Sequence, residues 1–151
     1  GINPQAVNKE KTFHFLTEEY RTSSSELGDG DALSGAKVKM MITIGRKPSM
    51  SREDFINYYE SRHAVLSAQH LRATAGYYRN YPVPGTGAPD GIDVITEMWF
   101  RDRAKFDELA AAMTVPEIAA IFAKDEEYLF DRSTINMFLV QEYVTTLDSD
   151  K

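Results

Sequence analysis

The stretch Ile92 to Phe100, IDVITEMWF, limits what this chain can become more than any other. Its β-branched and aromatic side chains favour an extended strand. Neighbouring side chains on a strand point to opposite faces, so Ile95 and Trp99 face one way and Val94, Met98 and Phe100 the other. Both faces are apolar. A later segment repeats this: Ile135, Met137, Leu139 and Tyr143 oppose Phe138, Val140 and Val144. The chain must therefore build a sheet that is covered on both sides.

Helices can supply one of the two covers. Ser51 to Leu66, SREDFINYYESRHAVL, opens with a good N-cap, and Asp54 follows three residues later. At 3.6 residues per turn Phe55, Tyr59, Arg62 and Leu66 share a stripe, with His63 on its edge. This predicts a helix from Ser51 to Leu66 that runs on toward His70. A second helical region starts after Asp102, with Phe106, Leu109 and Met113 at helical spacing. Thr114-Val-Pro-Glu117 repeats the start signal, so this region should break at Thr114, with Thr114 capping the second piece.

The remaining segments complete the order. Lys37 to Ile44 alternates as a strand, and Leu71 to Tyr81 reads as a strand in its Tyr-rich second half. Pro82 to Gly91, PVPGTGAPDG, is a loop by composition. Asp131 to Thr145 closes the chain as a strand. The elements run βαββαβ. The expected fold is α+β and ferredoxin-like, a four-stranded antiparallel sheet with helices on one face, extending over residues 37–147. Residues 1–36 read as an N-terminal arm whose Phe13, Phe15, Leu16 and Tyr20 should dock on this domain or on a partner. Helices cover one sheet face only, and the simplest cover for the other is a second copy, which predicts a homodimer joined through the sheet face.

At 151 residues the chain is long enough for one domain with a real core. Its net charge of −6 and lack of a basic stripe argue against nucleic acid and anionic membrane surfaces. No apolar run approaches the roughly 18 residues that span a bilayer. The opening GINPQAVNKE lacks a secretory signal layout, so a cytoplasmic location is the expectation. The absence of cysteine excludes disulfides and thiolate chemistry within the chain.

Lys37 to Val144 resembles the EthD-domain family of the dimeric α/β-barrel superfamily. The resemblance rests on Arg46-Lys-Pro-Ser-Met-Ser-Arg-Glu-Asp-Phe55, Tyr58-Tyr-Glu-Ser-Arg-His63 with Leu66, Tyr77-Tyr-Arg-Asn80, Asp93-Val-Ile-Thr-Glu-Met-Trp-Phe100, and Asp131 with Glu142. It implies a pocket between helices and sheet, with a helix-borne His as the usual catalytic candidate, and His63 takes that place. Val65 stands where family members often carry Pro. Family members resemble dehydratases and decarboxylases of aromatic polyketides, or accessory proteins of oxidative degradation. Fold alone does not choose among these.

The residues support acid–base chemistry best. No P-loop and no GxGxxG is present. His63 and His70 would lie about 10 Å apart on one helix, too far to share an ion, so no metal and no cofactor is expected. His63 is the candidate proton carrier. Tyr78 is a candidate to stabilise an oxyanion, and Glu97 or Asp131 to orient His63 or act as a second acid–base group; Glu97 could equally be a surface charge and Asp131 a turn cap. Phe55, Tyr59, Trp99 and Phe138 are candidate aromatic walls, Asn80 a polar contact, and Arg62 a clamp for a carboxylate or phenolate. The resulting expectation is a cofactor-free lyase or isomerase acting on an aromatic or polyketide-like small molecule. A ligand-binding accessory protein and a cofactor-free oxygenase are the alternatives.

Overall fold

The computed structural model describes residues 12–143. Strand β1 spans Thr17–Arg21, β2 Val38–Arg46, β3 Gly76–Pro82, β4 Val94–Phe100 and β5 Phe130–Gln141. Helix α1 is Arg52–Tyr58, followed without interruption by a π-helical turn, Tyr59–His63, and by α2, Ala64–His70. Helices α3, Arg103–Ala112, and α4, Pro116–Leu129, precede β5. Val144 and Thr145, expected in the last strand, lie outside the described residues, as do residues 1–11 of the expected arm.

The strands form one antiparallel sheet in the order β1-β3-β4-β2-β5. Its last four members carry the ferredoxin-like order expected from βαββαβ. The fifth strand is an addition. Thr17–Arg21 pairs with β3 along its full length, Thr17 opposite Pro82 and Arg21 opposite Tyr78. The sequence offered no alternating apolar pattern there, because an edge strand whose side chains are all exposed needs none.

Burial alternates strictly along β4. Val94, Thr96, Met98 and Phe100 are buried beneath the helices, while Ile95, Glu97 and Trp99 are half-buried on the opposite, open face. Register then fixes whole rows. Tyr78, Glu97, Met41 and Phe138 lie side by side across four strands on the open face. Arg79, Thr96, Ile42 and Met137 form the matching row on the helical face. The core between the layers is dense in aromatics. Phe55 packs edge-on against Tyr59, Tyr81 and Phe130.

Helix termini follow local chemistry. The Ser51 hydroxyl accepts from the Asp54 N–H, and Asp102 accepts from the Lys105 N–H. The Thr114 cap is different. Its hydroxyl donates back to the Ala111 carbonyl and closes α3, while Val115 takes the N-cap position and Pro116 the first turn of α4. Pro lacks an N–H, so α4 begins with one fewer donor to satisfy. The Pro82–Gly91 loop uses Gly85, Gly87 and Gly91 at positive φ. At Gly87 a Cβ would meet the His14 carbonyl at 2.7 Å, so the glycine also lets the chain before β1 pass closely.

Candidate functional site

The π-turn decides what the long helix presents to the sheet. A regular helix would place Arg62 and Leu66 below Phe55 and Tyr59. One extra residue in the turn shifts the inward face onward, so Phe55, Tyr59, His63 and Ser67 are buried in succession, each four residues apart. Arg62 is turned out to solvent as a result, and the clamp expected of it is not at the site.

Below this face lies a cavity of about 340 Å³ between helices and sheet. Met40, Met98, Met113 and Met137 line it together with Phe106 and Phe122. His63, Tyr59, Tyr77, Ser67, Thr96 and Glu126 supply the polar part of the wall. His63 is only 6 % exposed, and its ring packs edge-on against Tyr59 and Phe130.

His63 is held from behind. Its Nδ1 lies 2.6 Å from Oδ2 of Asp125, a buried residue of α4. The Tyr58 hydroxyl donates to the other oxygen, Oδ1, at 2.7 Å. With both acceptors occupied, Asp125 fixes one face of the imidazole, and Nε2 is the nitrogen left for a ligand. Burial pushes the Asp125 carboxyl up, but the hydrogen bonds from His63 and Tyr58 outweigh it and hold the group below its ordinary value. Burial and the bond to Asp125 raise Tyr58 to about 12, so it stays a donor.

The phenols on the wall are neutral donors too. Tyr59 shares a 2.8 Å hydrogen bond with the Thr96 hydroxyl, and Tyr77 donates to Tyr59 at 3.4 Å. Burial raises both phenols above the ordinary value. Such a pair can donate to a ligand oxygen without ionising. Glu126 also stands in the wall, raised by burial against the pull of His63 and Arg132.

Most other residues singled out from the sequence lie elsewhere. Tyr78, Asn80, Glu97, Trp99 and Phe138 face the open side of the sheet, because their register positions alternate with those of the cavity wall. Tyr78 lies under the Arg21 guanidinium at 4.9 Å, and Asn80 accepts from the Thr17 hydroxyl. Glu97 pairs with Lys39 at 3.2 Å, and Lys39 sits 4.4 Å above the Trp99 ring. Phe55 is fully buried in the core but does not line the cavity. Asp131 accepts from the Ser133 N–H and hydroxyl where β5 is irregular beside Gly45, the turn-capping alternative for this residue. Of the expected set, the structure brings only His63 and Tyr59 to the cavity.

Asp125 escaped the sequence reading although it left a signal. Phe122, Asp125 and Leu129 are the buried residues of α4, spaced three and four apart. A carboxylate within an apolar helical stripe calls for a buried partner. Arg79 is a second case. It is 3 % exposed and bound to Glu60 through two nitrogens, at 3.1 and 2.5 Å. Tyr81 donates to the same carboxylate. This network ties β3 to the π-turn and helps to hold the turn's geometry.

Among the described residues, no group of three His, Cys, Asp or Glu converges to hold a metal ion, and no helix is long and apolar enough to cross a membrane.

Comparison with known proteins assigns the chain to a family. Residues 47–133 match the EthD domain, and the chain belongs to that family. The fold is similar to that of an ethyl tert-butyl ether d (EthD) family protein from Bacillus halodurans, at a TM-score of 0.52 and 16 % identity over 71 % of this chain and 99 % of the other. It is also similar to a hypothetical protein of Arabidopsis thaliana, at a TM-score of 0.50 and 19 % identity over 74 % and 93 % of the two chains. At these identities the likeness concerns the fold alone. No curated protein matches the chain.

Proposed function

We propose that the chain is a cofactor-independent acid–base catalyst, of lyase or isomerase type, acting on a small, largely apolar carbonyl or phenolic molecule, aromatic or polyketide-like. The observation that carries this reading is the 2.6 Å contact between His63 and buried Asp125 at the wall of a 340 Å³ cavity. A carboxylate on Nδ1 favours the tautomer with that nitrogen protonated, which frees the Nε2 lone pair to take a proton from a ligand. Tyr59 and Tyr77 line the same cavity, and their neutral phenols would serve as donors to the oxygen on which charge develops. Methionines and phenylalanines give the apolar contact area that a planar or folded carbon skeleton requires.

The test is a screen of hydroxy-ketones and phenolic compounds for isomerisation or loss of water. His63→Ala and His63→Gln should both lower turnover by about 10²- to 10⁴-fold while the protein stays folded. Full turnover in folded His63→Ala protein would remove the base and leave a ligand-holding role.

A second copy on the open sheet face belongs to the same reading. Support comes from Met41, Ile95, Trp99, Phe138 and Val140, which lie on that side, with Phe138 46 % exposed. Leu33 lies against Trp99 at one end of this face, and the apolar set that stays exposed beyond it favours association.

A further inference from the structure

Glu126 stands one residue beyond Asp125 on α4, and the two carboxylates do different things. Asp125 is turned behind His63 with both oxygens bonded. Glu126 lines the cavity itself. Among the described lining residues it is the sole carboxylate, and no Lys or Arg accompanies it. Arg132 at the start of β5 pairs with the part-exposed Glu126 carboxylate at 3.7 Å, but it is half-exposed and outside the lining, and it also donates to the Ala123 carbonyl. Arg62, which acts on Asp125, is exposed on the outer side of the π-turn. Counting the Arg132 pair, this end of the cavity holds no positive excess in either state of His63: an imidazolium is offset by Asp125 and Glu126 by Arg132, and a neutral imidazole leaves one carboxylate in excess.

From this arrangement we infer that Glu126 is a specificity-determining residue, and that the cavity takes neutral ligands such as ketones and un-ionised phenols and rejects carboxylates. The inference rests on the reading of this cavity as the ligand site. A carboxylate entering it would be desolvated by the methionine-rich wall and would meet Glu126 with no arginine fork to receive it. A ketone of the same shape carries no such penalty, and its oxygen can accept from Tyr59 or Tyr77.

The test uses two probes of nearly equal shape, 2-acetylnaphthalene and 2-naphthoate, titrated at pH 8 into wild type, Glu126→Gln and Glu126→Asp, with binding followed by tryptophan-independent calorimetry. Thermal melts confirm that each variant is folded. Wild type should bind the ketone at least about tenfold more tightly than the carboxylate. Glu126→Gln should shrink that preference about tenfold by gaining affinity for 2-naphthoate alone, and Glu126→Asp, which keeps the charge, should retain it. Equal binding of the two probes by wild type, an unchanged preference in Glu126→Gln, or failure of both probes to bind would overturn the inference. Exchange of the ketone's methyl protons with D₂O separates this result from the catalytic reading. Loss of exchange in His63→Ala with no selectivity change in Glu126→Gln would remove the charge filter and leave the base. The reverse pattern would remove the base and leave the filter.

Discussion

Removing the carboxylate of Asp125 tests the centre of the site without any knowledge of its ligand. Asp125→Ala deletes the acceptor of two short hydrogen bonds, 2.6 Å to His63 and 2.7 Å to Tyr58, and strands the buried His63 N–H, while the half-buried Tyr58 hydroxyl loses its partner nearer the surface. A hydrogen bond to a charged group is worth about 1.5–3 kcal/mol, and the Asp125 carboxylate accepts two. The His63 and Asp125 side chains are 8 % and 6 % exposed, so solvent screens their interaction little. Asp125→Ala should therefore cost about 3–5 kcal/mol in stability. In a His63→Ala background the same change should cost about 2 kcal/mol less, the share that belongs to the pair. The assay is urea denaturation of wild type, both single variants and the double variant at one protein concentration and pH 7. A coupling below about 0.5 kcal/mol would refute the claim that Asp125 holds His63. Acid titration gives an independent check. The folded value of Asp125 is depressed, so the unfolded chain takes up the proton first as pH falls. The stabilisation is full above the ordinary carboxyl value of about 4 and is lost as pH falls through the depressed folded value. Asp125→Ala should accordingly lose less stability than wild type on acidification below about pH 5, and identical slopes would contradict the argument.

Two further outcomes test the frame around the site. Ser51→Ala removes the hydroxyl that accepts from the Asp54 N–H and should destabilise the protein by about 1 kcal/mol in thermal or urea melts, with Ser51→Asp restoring most of it. Sedimentation at micromolar concentration should give about twice the 17.1 kDa chain mass, and a clean monomer would remove the second copy from the open sheet face.

Local chemistry was legible at most helix starts, Thr114 excepted, whose hydroxyl closes α3 instead of capping α4. Ser51 and Asp102 cap the helices that their positions announce, and the alternation in Ile92–Phe100 assigns each side chain to its face. Candidate sites were harder to read, since alternation says that Glu97 and Val94 face apart but not which of them faces the helices. Glu97, Trp99 and Tyr78 were reasonable choices by residue type, yet register puts all of them on the side away from His63. Thr17–Arg21 could not be read as a strand because an exposed edge strand carries no core pattern.

The sequence by itself determined the βαββαβ order, the ferredoxin-like class and the position of His63 on a helix that docks on the sheet, because these follow from side-chain periodicity and capping within short windows. Tertiary structure decided the rest. The π-turn at Tyr59–His63 is one extra residue absorbed between two regular helices, and it turns His63 inward and Arg62 outward. Asp125 reaches His63 across 62 positions of sequence, a contact fixed by how α4 packs against α2 and the π-turn. A periodicity specifies which face is buried; which residues from distant segments meet at that face is set only when the layers close on each other.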